Sequence, residues 1–130
     1  TVDLRNPSGA ALKQADVSLL QIAEDVAAET GTRVTCRTLA RFDPVIFDQR
    51  FVDSVEKTAQ SLGYSTRHLH SGAGHDAQMI ARLAPAAMIF VPSAGGISHN
   101  IHEFTSPDAL ARGTTVLAQL VFRQAGLMKE

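Results

Sequence analysis

An uninterrupted apolar segment that runs into a glycine-rich loop constrains the fold of this chain more than any other feature. Residues 86–91 are apolar throughout, which is typical of a strand covered on both faces, as in parallel sheets. Pro92 follows directly, and the loop behind it contains Gly95, Gly96 and His99. Because ligand sites in open α/β sheets lie beyond the carboxyl ends of the strands, this order predicts a site in the loop.

Helical periodicity accounts for much of the remaining chain. Apolar residues recur at helical spacing over residues 12–26 and again over residues 47–62, and a glycine follows each run. A short helix is predicted to end at about Leu83. Ser106 followed by Pro107 predicts the start of a last helix, because serine caps helix N-termini and proline favours the first helical position.

Short strands are predicted between these helices. Residues 1–7 have the character of the end of a strand, residues 33–41 alternate as a half-buried strand does, and residues 65–70 form a further short strand. The order of elements predicts an α/β fold, with a boundary at Asp43-Pro44 because the residue before proline is disfavoured in a helix. Since nothing precedes the opening strand to protect its edge, we expect the chain to start within a domain.

Composition excludes several classes of protein. The 130 residues are 45% hydrophobic and 19% charged, which is typical of one soluble globular domain. A net charge of −1 gives no electrostatic case for nucleic acid or an anionic membrane as a partner. No apolar run approaches the roughly 18–20 residues of a membrane span. The single cysteine, Cys36, cannot form an internal disulfide, so a cytoplasmic location is the default expectation.

The loop around His99 is the first candidate for chemistry. Gly95 and Gly96 allow close approach of the backbone to a ligand, and N–H groups there can bind an oxyanion. His99 can bind zinc through one ring nitrogen, with Glu103 close in sequence. A polar loop with a solvated histidine accounts for the same residues. His102 lies only three residues after His99, so the helical zinc motif, which spaces its histidines four apart, is not matched.

Two further groups of polar residues are candidates. In the Ser-Gly-Ala-Gly-His-Asp run of residues 71–76, His75 can turn toward a bound group, but a glycine turn with Asp76 as a helix cap accounts for the run equally well. Arg5 can hold a substrate carboxylate with two hydrogen bonds. Its position two residues after Asp3 favours a surface salt bridge when the pattern is taken alone.

Three segments together carry a resemblance to a known family. Val2–Arg5, Ser71–Ala77 and Met88–Glu103 resemble, in this order and spacing, the C-terminal third of the zinc-dependent amidase/hydantoinase/carbamoylase family. This family contains N-carbamoyl-L-amino acid hydrolases, allantoate amidohydrolases and β-ureidopropionases. The resemblance covers essentially all 130 residues. One departure is Ile101, which stands where family members often have proline.

The resemblance implies a division into two domains. Residues 1–43 would be the C-terminal part of a βαβ-type lid and dimerisation domain. Residues 44–130 would be the C-terminal segment of the catalytic α/β domain of a zinc hydrolase. The complete protein would be a homodimer joined through the lid domain. The N-terminal catalytic segment, with the remaining metal ligands and a general-base glutamate, would lie outside these residues.

The resemblance also implies roles for individual residues. Arg5 would grip the substrate carboxylate, and His99 would be the last metal-ligand histidine. The backbone of residues 95–97, which are Gly95, Gly96 and Ile97, would line the substrate pocket. His75 and Asp76 match a motif near the site and are candidate catalytic residues without an assigned step.

The implied function is hydrolysis of a carbamoyl or amide C–N bond. The substrate would be an N-carbamoyl amino acid or a related ureido acid, and two divalent ions (zinc, manganese, cobalt or nickel) would polarise its carbonyl. The 130-residue chain alone is expected to be inactive and to bind no metal stably. The alternative is a non-catalytic interaction module on a hydrolase-like fold. Metal-ligand motifs upstream would distinguish the two.

Overall fold

The computed structural model describes residues 1–127, and its regular secondary structure over this range is helical. No helix among these residues combines the length and apolarity needed to cross a membrane. A short 3₁₀ turn at Ala94–Gly96 lies in the loop that follows residues 86–91. The α-helices are α1 (Gly9–Thr30), α2 (Gln49–Ser61), α3 (Asp76–Ile80) and α4 (Pro107–Gln124).

Capping residues set the ends of the long helices. The Ser8 side chain accepts a hydrogen bond from a backbone N–H in the first turn of α1, and Gly31 ends that helix with a left-handed φ of 66°. The Ser106 side chain caps α4 in the same way, with Pro107 as its first residue. The three long helices predicted from periodicity and caps are therefore confirmed.

The predicted strands are the part of the α/β prediction that is wrong for the described residues. None of the segments 1–7, 33–41, 65–70 and 86–91 forms a strand within residues 1–127. A strand persists only in a sheet, because its N–H and C=O groups need a hydrogen-bonded neighbour. These segments have the side-chain pattern of strands but no pairing partner in the described chain. Of the βαβ arrangement expected for residues 1–43, only the helix forms.

The chain divides into two compact units, each described by itself. The first consists of Thr1–Ile46 and His70–Gly74 and is built on α1. The second consists of Phe47–Leu69 and, of the described residues, 75–127, and it contains α2, α3 and α4. The assignment of residues 1–43 to a lid domain and 44–130 to a catalytic domain stays a prediction.

Packing of α2 against α4 forms the core of the second unit. Thr58 and Ala59 on α2 and Val116 on α4 are buried. The Thr58 hydroxyl accepts a hydrogen bond from Nη1 of Arg123 at 3.2 Å, which satisfies the buried oxygen. Residues 86–91 lie beside this pair and, together with α2 and α4, line an open apolar cleft of about 710 Å³. This packing fixes the position at which the loop of residues 93–104 begins.

Close approach of α4 to residues 86–91 requires glycine at position 113. A Cβ atom at Gly113 would lie 2.5 Å from Cγ1 of Val91. Overpacking destabilises a protein by about 1–3 kcal/mol. Alanine stabilises a helix interior by about 1 kcal/mol relative to glycine, so the clash should outweigh this gain. We therefore expect Gly113→Ala to lower the free energy of unfolding, measured by urea denaturation.

Two variants control for this prediction. Gly9 begins α1, where an added Cβ would meet only Pro44 Cδ at 3.9 Å, so Gly9→Ala should not destabilise the protein. In a Val91→Ala background the clash is relieved, and the cost of Gly113→Ala should shrink. A Gly113→Ala protein with a raised urea midpoint would show that the contact with Val91 does not constrain this site.

Candidate functional site

The loop that follows residues 86–91 is closed by a hydrogen bond between its ends. The N–H of Ala94 donates to the carbonyl of Phe104 at 2.7 Å. Gly95 and Gly96 have left-handed φ angles of 63° and 68°, which glycine adopts without steric cost. The N–H groups of Gly96 and Ile97 donate within the turn, to carbonyls at 3.1 and 3.3 Å. The glycines therefore set the path of the loop, and these two N–H groups are already engaged.

His99 lies in this loop with a backbone conformation that is rare for a residue other than glycine. Its φ is 53°, in the left-handed region. A carboxylate oxygen of Glu103 accepts a hydrogen bond from the N–H of His99 at 2.9 Å, and the N–H of Glu103 donates to the carbonyl of Asn100 at 3.0 Å. Glu103, considered from the sequence as a helper in metal binding, here contacts the backbone of His99.

Three aromatic rings from separate segments meet in the second unit. The ring centroid of His75 lies 5.6 Å from that of Phe90, with an interplanar angle of 62°. The centroid of His99 lies 6.5 Å from that of His75, at 73°. Both pairs have the edge-to-face geometry that aromatic rings favour. The fold thus brings together His75 and His99, which the sequence places in different motifs.

Sequence reasoning missed the place of Phe90 in this ring cluster. Phe90 was interpreted only as part of a buried strand, yet it is 51% exposed and contacts the ring of His75. The available signal is its position near the end of the apolar segment, one residue before Val91 and close to the loop, where ligand sites of α/β sheets occur.

The start of α3 fixes the backbone of His75. His75 is the N-cap of this helix, and its N–H donates to Oε1 of Gln78 at 3.2 Å. Asp76 is the first helical residue, where the helix dipole favours a carboxylate. The sequence suggests Asp76 as the helix cap, but the N-cap is His75. No contact with a reacting group defines a catalytic role for either residue.

Arg5 is held in the first unit by two partners. Its Nε and Nη2 donate to one carboxylate oxygen of Asp3 at 2.9 and 2.5 Å, and its Nη1 donates to the carbonyl of Gly72 at 2.6 Å. The salt bridge expected from the spacing is thus present. The hydrogen bond between the two side chains lowers the pKa of Asp3 and raises the pKa of Arg5, so both are charged at neutral pH.

The guanidinium of Arg5 keeps two donors beyond these contacts. Arginine has five N–H donors, and three are used in the hydrogen bonds to Asp3 and Gly72, which leaves one on Nη1 and one on Nη2. The side chain is 60% exposed. A pair of N–H donors on neighbouring nitrogens is the geometry that binds a carboxylate with two hydrogen bonds. Arg5 therefore presents two N–H donors beside Gly72, in an arrangement suited to a carboxylate.

The described residues do not form a metal centre by themselves. Among residues 1–127, no group of three or more histidine, cysteine, aspartate or glutamate side chains could hold a metal ion. The imidazole of His99 has the donor chemistry of a zinc ligand. One carboxylate oxygen of Glu103 accepts the hydrogen bond from the His99 backbone. His99 therefore stays a candidate ligand without a complete metal-binding group around it in residues 1–127.

Known proteins similar to this chain include amidohydrolases. The N-carbamoyl-L-amino-acid amidohydrolase of Rhizobium meliloti is 38% identical over 129 residues, which are 99% of this chain and 31% of that protein. The allantoate amidohydrolase of Bacillus subtilis is 36% identical over 125 residues, which are 96% of this chain and 30% of that protein. The chain therefore spans about a third of the length of these relatives.

A solved structure and a family model agree with these similarities. A crystal structure of an amidase of the hydantoinase/carbamoylase family from Burkholderia multivorans matches with a TM-score of 0.81 and 38% identity, over 86% of this chain and 27% of that one. The model of peptidase family M20/M25/M40 matches residues 2–123. The resemblance inferred from the three sequence segments is confirmed, and the chain belongs to peptidase family M20/M25/M40.

Proposed function

We propose that this chain is part of a metal-dependent amidohydrolase that cleaves the carbamoyl or amide C–N bond of N-carbamoyl-L-amino acids or related ureido acids. The names of its relatives give the reaction class. The observation that carries the proposal is the fork of Arg5, which is suited to the carboxylate that such substrates share. The complete enzyme would be a cytoplasmic homodimer joined through its lid domain.

Arg5 binds and orients the substrate. Asp3 and Gly72 hold the guanidinium at Nε, Nη1 and Nη2, so the two remaining N–H groups need little ordering when a carboxylate binds. A substrate fixed at its carboxylate end has its scissile carbonyl restricted to few positions. Such positioning contributes to the rate by making the reaction effectively intramolecular.

His99 supplies one nitrogen ligand to the metal centre. Two divalent ions bound there would supply Lewis acidity, which would lower the pKa of a water molecule and polarise the scissile carbonyl. The other ligands and the glutamate that takes the proton from water belong to residues outside this chain. The backbone of residues 95–97 lines the pocket, and His75 and Asp76 remain candidates for a role in catalysis.

A comparison of substrates tests the proposal. The complete gene product, supplied with zinc or manganese, is assayed for ammonia release from N-carbamoyl-L-alanine, allantoate and ethylurea, which lacks a carboxylate. We expect hydrolysis of at least one of the two acids, and hydrolysis of ethylurea slower by about 100-fold or more, since each tenfold corresponds to about 1.4 kcal/mol. Absence of hydrolysis of both acids would favour the interaction module, and equal rates with ethylurea would contradict the role of Arg5.

The isolated chain is expected to be inactive. Residues 1–127 contain no group of three metal-binding side chains, and His99 alone cannot hold a two-metal centre. Purified 130-residue protein should release no ammonia from N-carbamoyl-L-alanine with added zinc, cobalt or manganese. Hydrolysis above the rate of buffer with metal alone would overturn this expectation.

Asp3 orients Arg5, so its charge should affect substrate binding. Because a charged acceptor strengthens a hydrogen bond roughly twofold, Asp3→Asn is expected to raise KM by about 3- to 10-fold with kcat little changed. Arg5 lowers the pKa of Asp3, so the contribution of the carboxylate is present above its ordinary pKa and is lost as the pH falls through the lowered value. Asp3 should therefore stay charged near neutral pH and should not contribute to a pH dependence of the wild-type KM there.

Asp48→Asn is the matched control for Asp3→Asn. Asp48 is also paired with an arginine, and the hydrogen bond from Arg50 likewise lowers its pKa. It caps α2, a role that asparagine fills equally well. The KM of this variant should equal that of the wild type. Equal KM values for the Asp3 and Asp48 variants would contradict the orienting role of Asp3.

A further inference from the structure

We propose that Glu103 and His75 are positioning residues that hold His99 in a single conformation, Glu103 through the backbone and His75 through the ring. The inference rests on the proposed function, in which His99 is a metal ligand. It adds two residues that act through their contacts with His99. It gives His75, a candidate catalytic residue, a positioning role next to His99.

The Glu103 contact compensates for an unfavourable backbone conformation. A histidine with φ of 53° is rare, and such a residue persists only when its surroundings hold it there. The N–H of His99 donates to the carboxylate of Glu103 at 2.9 Å, which is a hydrogen bond strengthened by charge. Glu103 is itself tied back to the carbonyl of Asn100. The turn from His99 to Glu103 is therefore closed at both of its ends.

The His75 contact acts on the other end of His99. The backbone of His75 is fixed as the N-cap of α3, with its N–H on Gln78. Its ring packs edge-to-face against Phe90, which belongs to the segment that leads into the loop, and against His99. The imidazole of His99 thus packs against a ring that also packs on Phe90 and whose backbone is fixed at the start of α3. Such support orients a ligand before metal binds.

Chemical considerations favour positioning over ligation for both residues. The Glu103 oxygen that accepts the His99 N–H is directed at the backbone of the loop. His75 meets His99 through edge-to-face ring packing, with centroids 6.5 Å apart. Within residues 1–127 these side chains do not form a metal-binding group with a third ligand. A positioning role predicts that the shape of each side chain matters more than its ability to bind metal.

Paired variants of the complete gene product test the inference. Glu103→Ala and His75→Ala remove the contacts, whereas Glu103→Gln keeps an oxygen acceptor and His75→Phe keeps an edge-to-face ring. The dissociation constant for zinc is measured by competition with a chelating dye, and kcat and KM are measured with N-carbamoyl-L-alanine. The alanine variants should weaken zinc binding by about 10- to 100-fold and lower kcat with KM little changed. Glu103→Gln and His75→Phe should recover most of both quantities.

His102→Ala is the matched control, since His102 is exposed in the same loop and its backbone N–H donates to the Asn100 side chain. It should bind zinc as the wild type does. Wild-type zinc affinity in both alanine variants would overturn the inference, as would a His75→Phe variant as defective as His75→Ala. A His99→Asn variant with unchanged zinc content would instead refute the proposed function, so the two failures are distinguishable.

Discussion

Replacement of His99 by asparagine should lower the zinc content of the complete enzyme and reduce kcat/KM for N-carbamoyl-L-alanine by about 1000-fold, because a bound metal contributes several kcal/mol and each 1.4 kcal/mol is tenfold. Asparagine is chosen because it tolerates the left-handed φ of 53° at this position. The variant therefore removes the imidazole without straining the loop. Zinc is measured by elemental analysis of dialysed protein, and activity is measured at saturating and limiting substrate.

His102→Asn is the control for His99→Asn. It makes the same chemical change three residues away, at an exposed side chain in the same loop. Zinc content and kcat/KM should equal those of the wild type. A His99→Asn enzyme that keeps its zinc and its activity would show that the resemblance assigns His99 wrongly.

Replacement of Arg5 by lysine is the second change with a large expected effect. Lysine keeps the charge but cannot contact Asp3, the Gly72 carbonyl and a substrate carboxylate through one planar group. Loss of the charged hydrogen bonds, about 1.5–3 kcal/mol, corresponds to a fall in kcat/KM of about 10- to 100-fold. Steady-state kinetics with N-carbamoyl-L-alanine measures it, and most of the change should be in KM.

Arg41→Lys is the matched control for Arg5→Lys. Arg41 forms an ion pair with Asp16 within the same compact unit, at an exposed position. Exposed ion pairs contribute about 0–1 kcal/mol, so kcat/KM should stay within a few-fold of the wild type. If both lysine variants lose activity equally, the effect of Arg5→Lys reflects general destabilisation, and Arg5 has no special part in substrate binding.

Local signals made the helices predictable. Ser8 and Gly31 bound α1, and Ser106 with Pro107 begins α4, because each cap acts on backbone groups within one turn of itself. The predicted strands, in contrast, do not form within residues 1–127. Residues 86–91 have a strand-like pattern, but a strand also needs a neighbour that lies elsewhere in the polypeptide.

Sequence motifs single out candidate residues, but the contacts that these residues make were not predictable from the motifs. The motifs name Arg5, His75 and His99 as candidates, because residues in glycine-rich loops and at strand ends often bind ligands. The contact of Arg5 with the Gly72 carbonyl joins residues that are far apart in the chain, and no local pattern reports it. The Glu103 contact was close in sequence, but its direction toward the backbone depends on the left-handed turn at His99.

The dependence of hydrolysis on metal tests the central claim most directly. The complete gene product is stripped with a chelator, its residual metal is measured, and ammonia release from N-carbamoyl-L-amino acids and allantoate is followed before and after zinc, manganese, cobalt or nickel is restored. The proposed function predicts activity that disappears with the metal and returns with at least one of these ions. Undiminished hydrolysis in the metal-free protein, or no hydrolysis of any of these substrates with any ion, would contradict it.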